Sequence, residues 1–200
     1  MLKRLFFLTL GGLLSAPQAH AHSYDEGLLA QIETGGMVVF TAPETLLPLL
    51  ALGVLLSLWQ PCGMTQGWPM FLAGQAAGIP AAVLLGDASV TVLLATGLTV
   101  AVLAALLPRH HTAVALLATF ALGGLAVAVA LDGHGIWELP PAFLLGVVVA
   151  INLTTAGAAV IAGVALSLST AFWMRVVWRV AASWLAATMT LILAFTVTPG

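Results

Sequence analysis

Apolar residues fill most of this chain in runs long enough to cross a bilayer, and short clusters of glycine, proline and polar residues break the runs apart. A bilayer core about 30 Å thick needs about 20 helical residues at 1.5 Å rise. On that scale the pattern predicts membrane-spanning helices near 44–60, 68–86, 88–107, 112–131, 141–166 and 172–196. The long run from 68 to 107 is two helices, because Gly86-Asp87-Ala88-Ser89 supplies a turn in which Asp87 or Ser89 can cap the second one. The other breaks are Gln60-Pro61-Cys62-Gly63, Pro108-Arg109-His110-His111, Asp132-Gly133-His134-Gly135 and Ser167 to Thr170, all rich in residues that stop helices or prefer water. Residues 22–43 mix acids, glycines and polar groups and read as an extracytoplasmic lead-in with one short helix.

Composition moves the picture from apolar helices to a membrane protein. Hydrophobic side chains make up 62% of the chain and charged ones 6%, whereas a soluble domain carries about 25% charged residues. With mean hydropathy +1.14, the partner of most of the surface is the lipid bilayer. The predicted fold class is therefore all-α, a polytopic membrane bundle of about six transmembrane helices. A net charge of −2 offers no basic patch for phosphates, which excludes nucleic acid as a partner. The single cysteine, Cys62, excludes a disulfide framework within the chain and a cysteine-rich zinc site.

The N-terminus reads as a cleaved signal peptide over residues 1–21. Lys3 and Arg4 form a basic start, Leu5 to Leu14 an apolar stretch too short to span, and Ala19-His20-Ala21 a small-x-small cleavage site. Cleavage leaves a single helical domain, 22–200, with His22 at its periplasmic N-terminus in a bacterial inner membrane. Six alternating spans then place Arg109, Arg175 and Arg179, all the basic residues of the mature chain, on the cytoplasmic side, as the positive-inside rule requires. The acids Asp25, Glu26, Glu33, Asp87, Asp132 and Glu138 fall outside, with Glu44 at the outer end of the first span.

Most polar positions inside the spans have a packing explanation. Gly74-Gln-Ala-Ala-Gly78 has the small-xxx-small spacing that lets helix backbones approach, and Ala and Gly recur between 146 and 163. Trp59, Trp68, Trp137, Trp173, Trp178 and Trp184 lie mostly near span ends, where indoles anchor at the interface. Serines and threonines in spans usually bond their own helix carbonyls. No nucleophile motif, phosphate loop or paired-histidine helix face occurs, and the histidines fall in loops, so an enzyme is not expected.

The residues able to carry chemistry are outward-facing acids and imidazoles, which suit divalent metals such as nickel, zinc or copper. His22 would offer an imidazole and a free α-amine. Glu44, Asp132 and His134 share its side of the membrane, although a solvated loop is the simpler account of Asp132, His134 and Glu138. On the inner side, Cys62, Met64 and Met70 are soft donors close in sequence, and methionines near a span are mostly lipid or core contacts.

The order of these features resembles the HupE/UreJ family of small membrane proteins linked to nickel supply for hydrogenase and urease. The resemblance rests on the signal peptide ending Ala19-His20-Ala21-His22, the Gly-rich lead into the first span, and Gly133-His134-Gly135 followed by Glu138-Leu139-Pro140. The family's His-Pro-x-x-Gly-x-Asp-His signature resembles Val38 to Thr45, where Glu44 keeps an acid at the Asp position and both histidines are replaced, with Gly53 matching a later glycine. Its His-Gly-His-x-His-Gly loop resembles Asp132 to Ile136 and aligns His134, and a later family histidine falls at Thr154 or Thr155. The resemblance implies a permease for a divalent metal ion, nickel foremost, with His22, Glu44, Asp132 and His134 as metal ligands and no resident cofactor. A cavity open to the outer face and lined by Glu44, Asn152 and Thr155 is then expected. The competing reading is a non-transporting membrane subunit or assembly factor, with a face around Trp173 and Trp178 docking a membrane partner or a second copy.

Overall fold

The computed structural model describes residues 27–60, 63–107, 111–134, 138–168 and 172–197. The signal-peptide expectation for 1–21 and the proposed ligand His22 lie outside them. The described chain is all-helical: α1 (Leu28–Thr41), α2 (Pro43–Trp59), α3 (Gly63–Leu85), α4 (Ser89–Leu106), α5 (Thr112–Ala130), α6 (Pro141–Leu168) and α7 (Phe172–Val197), with a 3-10 turn at Gly86–Ala88 between α3 and α4. Helices α3 to α7 are each long and apolar enough to cross a membrane, and α1 with α2 make a sixth candidate as one broken span. This is the polytopic bundle expected from the sequence.

Proline sets several of the breaks. Ala42 precedes Pro43 and is extended (φ −95°, ψ 100°), because a following proline disfavours the helical region. The chain restarts at once, since Pro43 fits the first helical position. The outcome is a bend of 78° between α1 and α2. Gln60, which precedes Pro61, is extended in the same way at the end of α2, and Leu107, before Pro108, leaves the helical region at the end of α4.

Residues 22–43 were expected as a polar lead-in with one short helix, and α1 runs over 14 of them and packs along α6, which the sequence did not indicate. Its polar residues are accommodated without burying charge. Glu33 is exposed, and the Thr34 hydroxyl donates to the Ala30 carbonyl at 2.8 Å. Gly35 meets the Phe143 carbonyl so closely that no side chain fits. The first span, expected at 44–60, matches α2, which passes as a membrane crossing only together with α1.

Helix α2 is the centre of the bundle and touches every other helix. Apolar residues surround it on all sides, including the fully buried Leu49, Leu52, Leu55 and Leu56, which is the pattern of a helix enclosed by others. Around it, the closest contacts are glycine seams. An added Cβ on Gly78 of α3 would meet the Gly124 carbonyl and lie 2.9 Å from Val127 Cβ, both on α5. One on Gly53 of α2 would lie 2.6 Å from the Thr155 carbonyl oxygen of α6. Within lipid there is no hydrophobic drive between helices, so such close backbone approach supplies the dispersion that holds them. The Ser57 hydroxyl adds a bond from α2 to the Ala159 carbonyl at 2.7 Å.

These contacts also fix direction. α1 and α2 run parallel to α6, α3 runs parallel to α5, and α4 runs antiparallel to α7, where Gly97 meets Met189 and Arg179 meets Ala105. Ser89 and Asp132 gather at one end of the bundle, and Leu58, Leu106, Arg175 and Arg179 at the other. Alternating spans produce that separation.

Candidate polar site between the third and sixth helices

Gln75 and Asn152 are amides embedded in apolar helices, and the fold brings them together. Gln75 is the thirteenth residue of the 23 in α3, and Asn152 the twelfth of the 28 in α6. Each stands roughly 17 Å along its helix at 1.5 Å per residue, near mid-depth of a bilayer core. The Asn152 amide donates to Gln75 Oε1 at 3.0 Å and to the Val148 carbonyl at 2.8 Å. Gln75 is 4% exposed. Its Nε2 and the Asn152 Oδ1 are buried with no hydrogen-bond partner among the described residues.

Thr155 follows one turn beyond Asn152, on the same side of α6. It is fully buried, and neither its hydroxyl nor that of Thr154, on the adjacent position, has a partner among the described residues. Elsewhere the hydroxyls behave as lipid-embedded hydroxyls do: Thr41, Thr99, Thr119, Thr188 and Thr190 each bond the carbonyl four residues back. A buried hydroxyl or amide without a partner costs about 1–3 kcal/mol. Four such atoms on two helices at one depth are a concentrated cost, although one cross-helix amide bond of this kind also serves to join helices in lipid.

The setting sharpens this. α3 packs along α5 over most of its length but meets α6 only lightly. The Gln75–Asn152 pair therefore spans a thin seam between the α3–α5 unit and the α2–α6 unit. Expected cavity residues Asn152 and Thr155 belong to the site, and Gln75 was missed in the sequence. Its signal was the same as that of Asn152, a lone amide in an apolar run, hidden between the two glycines that were read as packing.

The outer-face ligands are dispersed. Glu44 is half-buried in the first turn of α2, where a carboxylate complements the positive end of the helix. Asp132 accepts from the Ser89 hydroxyl at 2.9 Å, joining the start of α4 to the end of α5. His134 is exposed, with Nδ1 3.0 Å from the Asp132 carbonyl in the same turn. Among the described residues no three of His, Cys, Asp and Glu come together as a metal site. Glu44 thus does not join Asp132 and His134, and the expected cluster is not assembled by those three.

Of the tryptophans expected to mark a docking face, Trp173 is mostly exposed, whereas Trp178 is half-buried against the core and its indole N–H has no partner among the described residues. Comparison with known proteins returned no matching family model, no matching curated protein and no matching solved structure.

Proposed function

We propose that this protein is a membrane permease whose passage site lies at mid-depth between α3 and α6. The observation that carries the reading is the Gln75–Asn152 pair, with its spare amide groups and the Thr155 hydroxyl, set where α3 and α6 meet only lightly. Neutral amide and hydroxyl groups replace water ligands without fixing a charge, so they suit a cation that keeps part of its hydration, or a small hydrogen-bonding solute. The divalent cargo implied by the HupE/UreJ resemblance, nickel among others, fits as such an ion. Imidazole, the donor nickel favours, would come from His22 or His134 at the outer mouth. The inner membrane of a bacterium, with the mature N-terminus outside, is the placement that the arginine distribution supports.

Proteoliposomes test this directly. Nickel, cobalt and magnesium entry is followed with a trapped metal-sensitive dye, and urea and glycerol entry by light scattering. At least one should pass, and Gln75→Leu/Asn152→Leu should abolish its flux, while Glu44→Ala should slow a cation only. No flux across the whole panel rejects the permease reading.

A second reading has its own observation. α7 is the least enclosed of the long apolar helices, and its outward side carries Phe172, Trp173, Trp184, Leu191 and Phe195. A non-transporting membrane subunit would use that side against a partner or a second copy.

A further inference from the structure

A half-open cavity of about 260 Å³ lies where the arginine-bearing ends of α2, α4 and α7 meet, and its walls include Leu58, Leu106, Phe172, Val176, Arg175 and Arg179. Its two cations are placed where a cation is least welcome. Arg175 and Arg179 are the fourth and eighth residues of α7, so Arg175 lies at the edge of the first turn, where the helix end favours anions. They are also four apart, so they share one face and repel each other.

Their partners do not cancel this charge. Arg179 Nε donates to the Ala105 carbonyl at 2.6 Å and one terminal nitrogen reaches the Leu106 carbonyl at 3.5 Å, satisfying the exposed end of α4 with dipoles only. Arg175 is exposed, and no carboxylate lines the cavity among the described residues. Two like charges, a helix N-terminal region and apolar walls thus converge at the membrane boundary. A single anion between the guanidiniums would relieve all three conflicts, and the apolar walls ask that it carry hydrocarbon.

We infer that this cavity binds one anionic phospholipid, its phosphate between Arg175 and Arg179 and an acyl chain along Leu106, Phe172 and Val176. The positive-inside rule assigns these arginines to the cytoplasmic leaflet, which is negatively charged, and each basic residue near such a surface contributes to binding. The site is independent of the polar pair, which sits far along α3 and α6, so it stands whether or not the protein transports.

Native mass spectrometry of the full chain in detergent tests this, with phosphatidylglycerol and phosphatidylcholine of identical acyl chains. The wild type should retain one phosphatidylglycerol in clear preference to phosphatidylcholine. Arg175→Gln, at an exposed position, should weaken that preference about fivefold with unchanged helical circular dichroism, and Arg175→Lys should keep most of it. Equal occupancy by the two lipids on the wild type overturns the inference, and so does an undiminished preference in Arg175→Gln. Displacement of the lipid by millimolar inorganic phosphate would also overturn it, by marking a free-phosphate site. The wild-type comparison decides even if a variant fails to fold.

Discussion

Replacing both members of the buried amide pair with leucine should stabilise the protein, while replacing either one alone should destabilise it. In the wild type one hydrogen bond joins the helices, between Asn152 and Gln75 at 3.0 Å. Such bonds in membrane bundles average about 0.6 kcal/mol and reach about 1.7. Against that gain stand Gln75 Nε2 and Asn152 Oδ1, buried without partners, at about 1–3 kcal/mol each. Asn152→Leu strips Gln75, 4% exposed, of its one cross-helix partner and should cost about 1–3 kcal/mol. Gln75→Leu leaves the Asn152 amide only its bond to Val148 and should cost about 1 kcal/mol. The double variant removes both uncompensated amide groups at once, and after discounting partners found in the unfolded chain it should gain about 1–3 kcal/mol. Unfolding in mixed dodecylmaltoside and SDS micelles, followed by circular dichroism, reads all four proteins. Uptake by the same samples should be lost in the double variant, which separates stability from function. A double variant less stable than either single one would refute the reasoning, because the pair would then be a structural rivet.

Other substitutions check the packing and the orientation. Gly78→Leu should destabilise by at least about 1–3 kcal/mol through overpacking, because Val127 and the Gly124 backbone occupy the space. Gly157→Ala, with nothing within 4 Å, should instead gain up to about 1 kcal/mol of helix propensity; the same detergent titration reads both. Arg179→Gln should lower the unfolding free energy by about 1–3 kcal/mol, since the carbonyls at the end of α4 lose a charged donor. In a Cys62→Ser background, His134→Cys should react with an impermeant maleimide in intact spheroplasts, and His111→Cys only after lysis. Labelling in the reverse order refutes the proposed sidedness.

The sequence showed the helices well because their ends are chemically abrupt. Pro43, Pro61 and Pro108 each force the preceding residue out of the helical region, so the limits of α2 and α4 follow from local sterics. What it hid depends on who faces whom. Glu33, Thr34, Gly35 and Gly36 look polar or flexible in a line of text, yet two glycines on one face are an interhelix contact and a threonine can satisfy itself on its own helix. The site was half legible for the same reason. Asn152 and Thr155 were marked as lining residues, whereas Gln75 had a sufficient packing explanation and only its position opposite Asn152 shows otherwise. Asp132 and His134 were grouped with Glu44 by membrane side and by the family resemblance. A shared side sets depth, whereas a metal site also needs lateral proximity, and Asp132 bonds Ser89.

The tight and loose interfaces together explain why a polar pair can persist in this bundle. Glycine seams bind α3 to α5, α1 to α6 and α2 to α6, so the helices form units with little internal give. Between the α3–α5 unit and α6 there is no glycine seam and only a thin contact, held by an amide bond whose partners each keep one unused group. A seam of that kind costs little to part, because few dispersion contacts are lost and the freed amides can turn to an entering solute or to water. A tightly packed apolar seam at the same place would be more stable and would offer nothing to a passing molecule. The stability forgone at Gln75 and Asn152 is what the proposed passage site would require, since it falls at the depth where an ion or polar solute has the greatest need of replacement ligands.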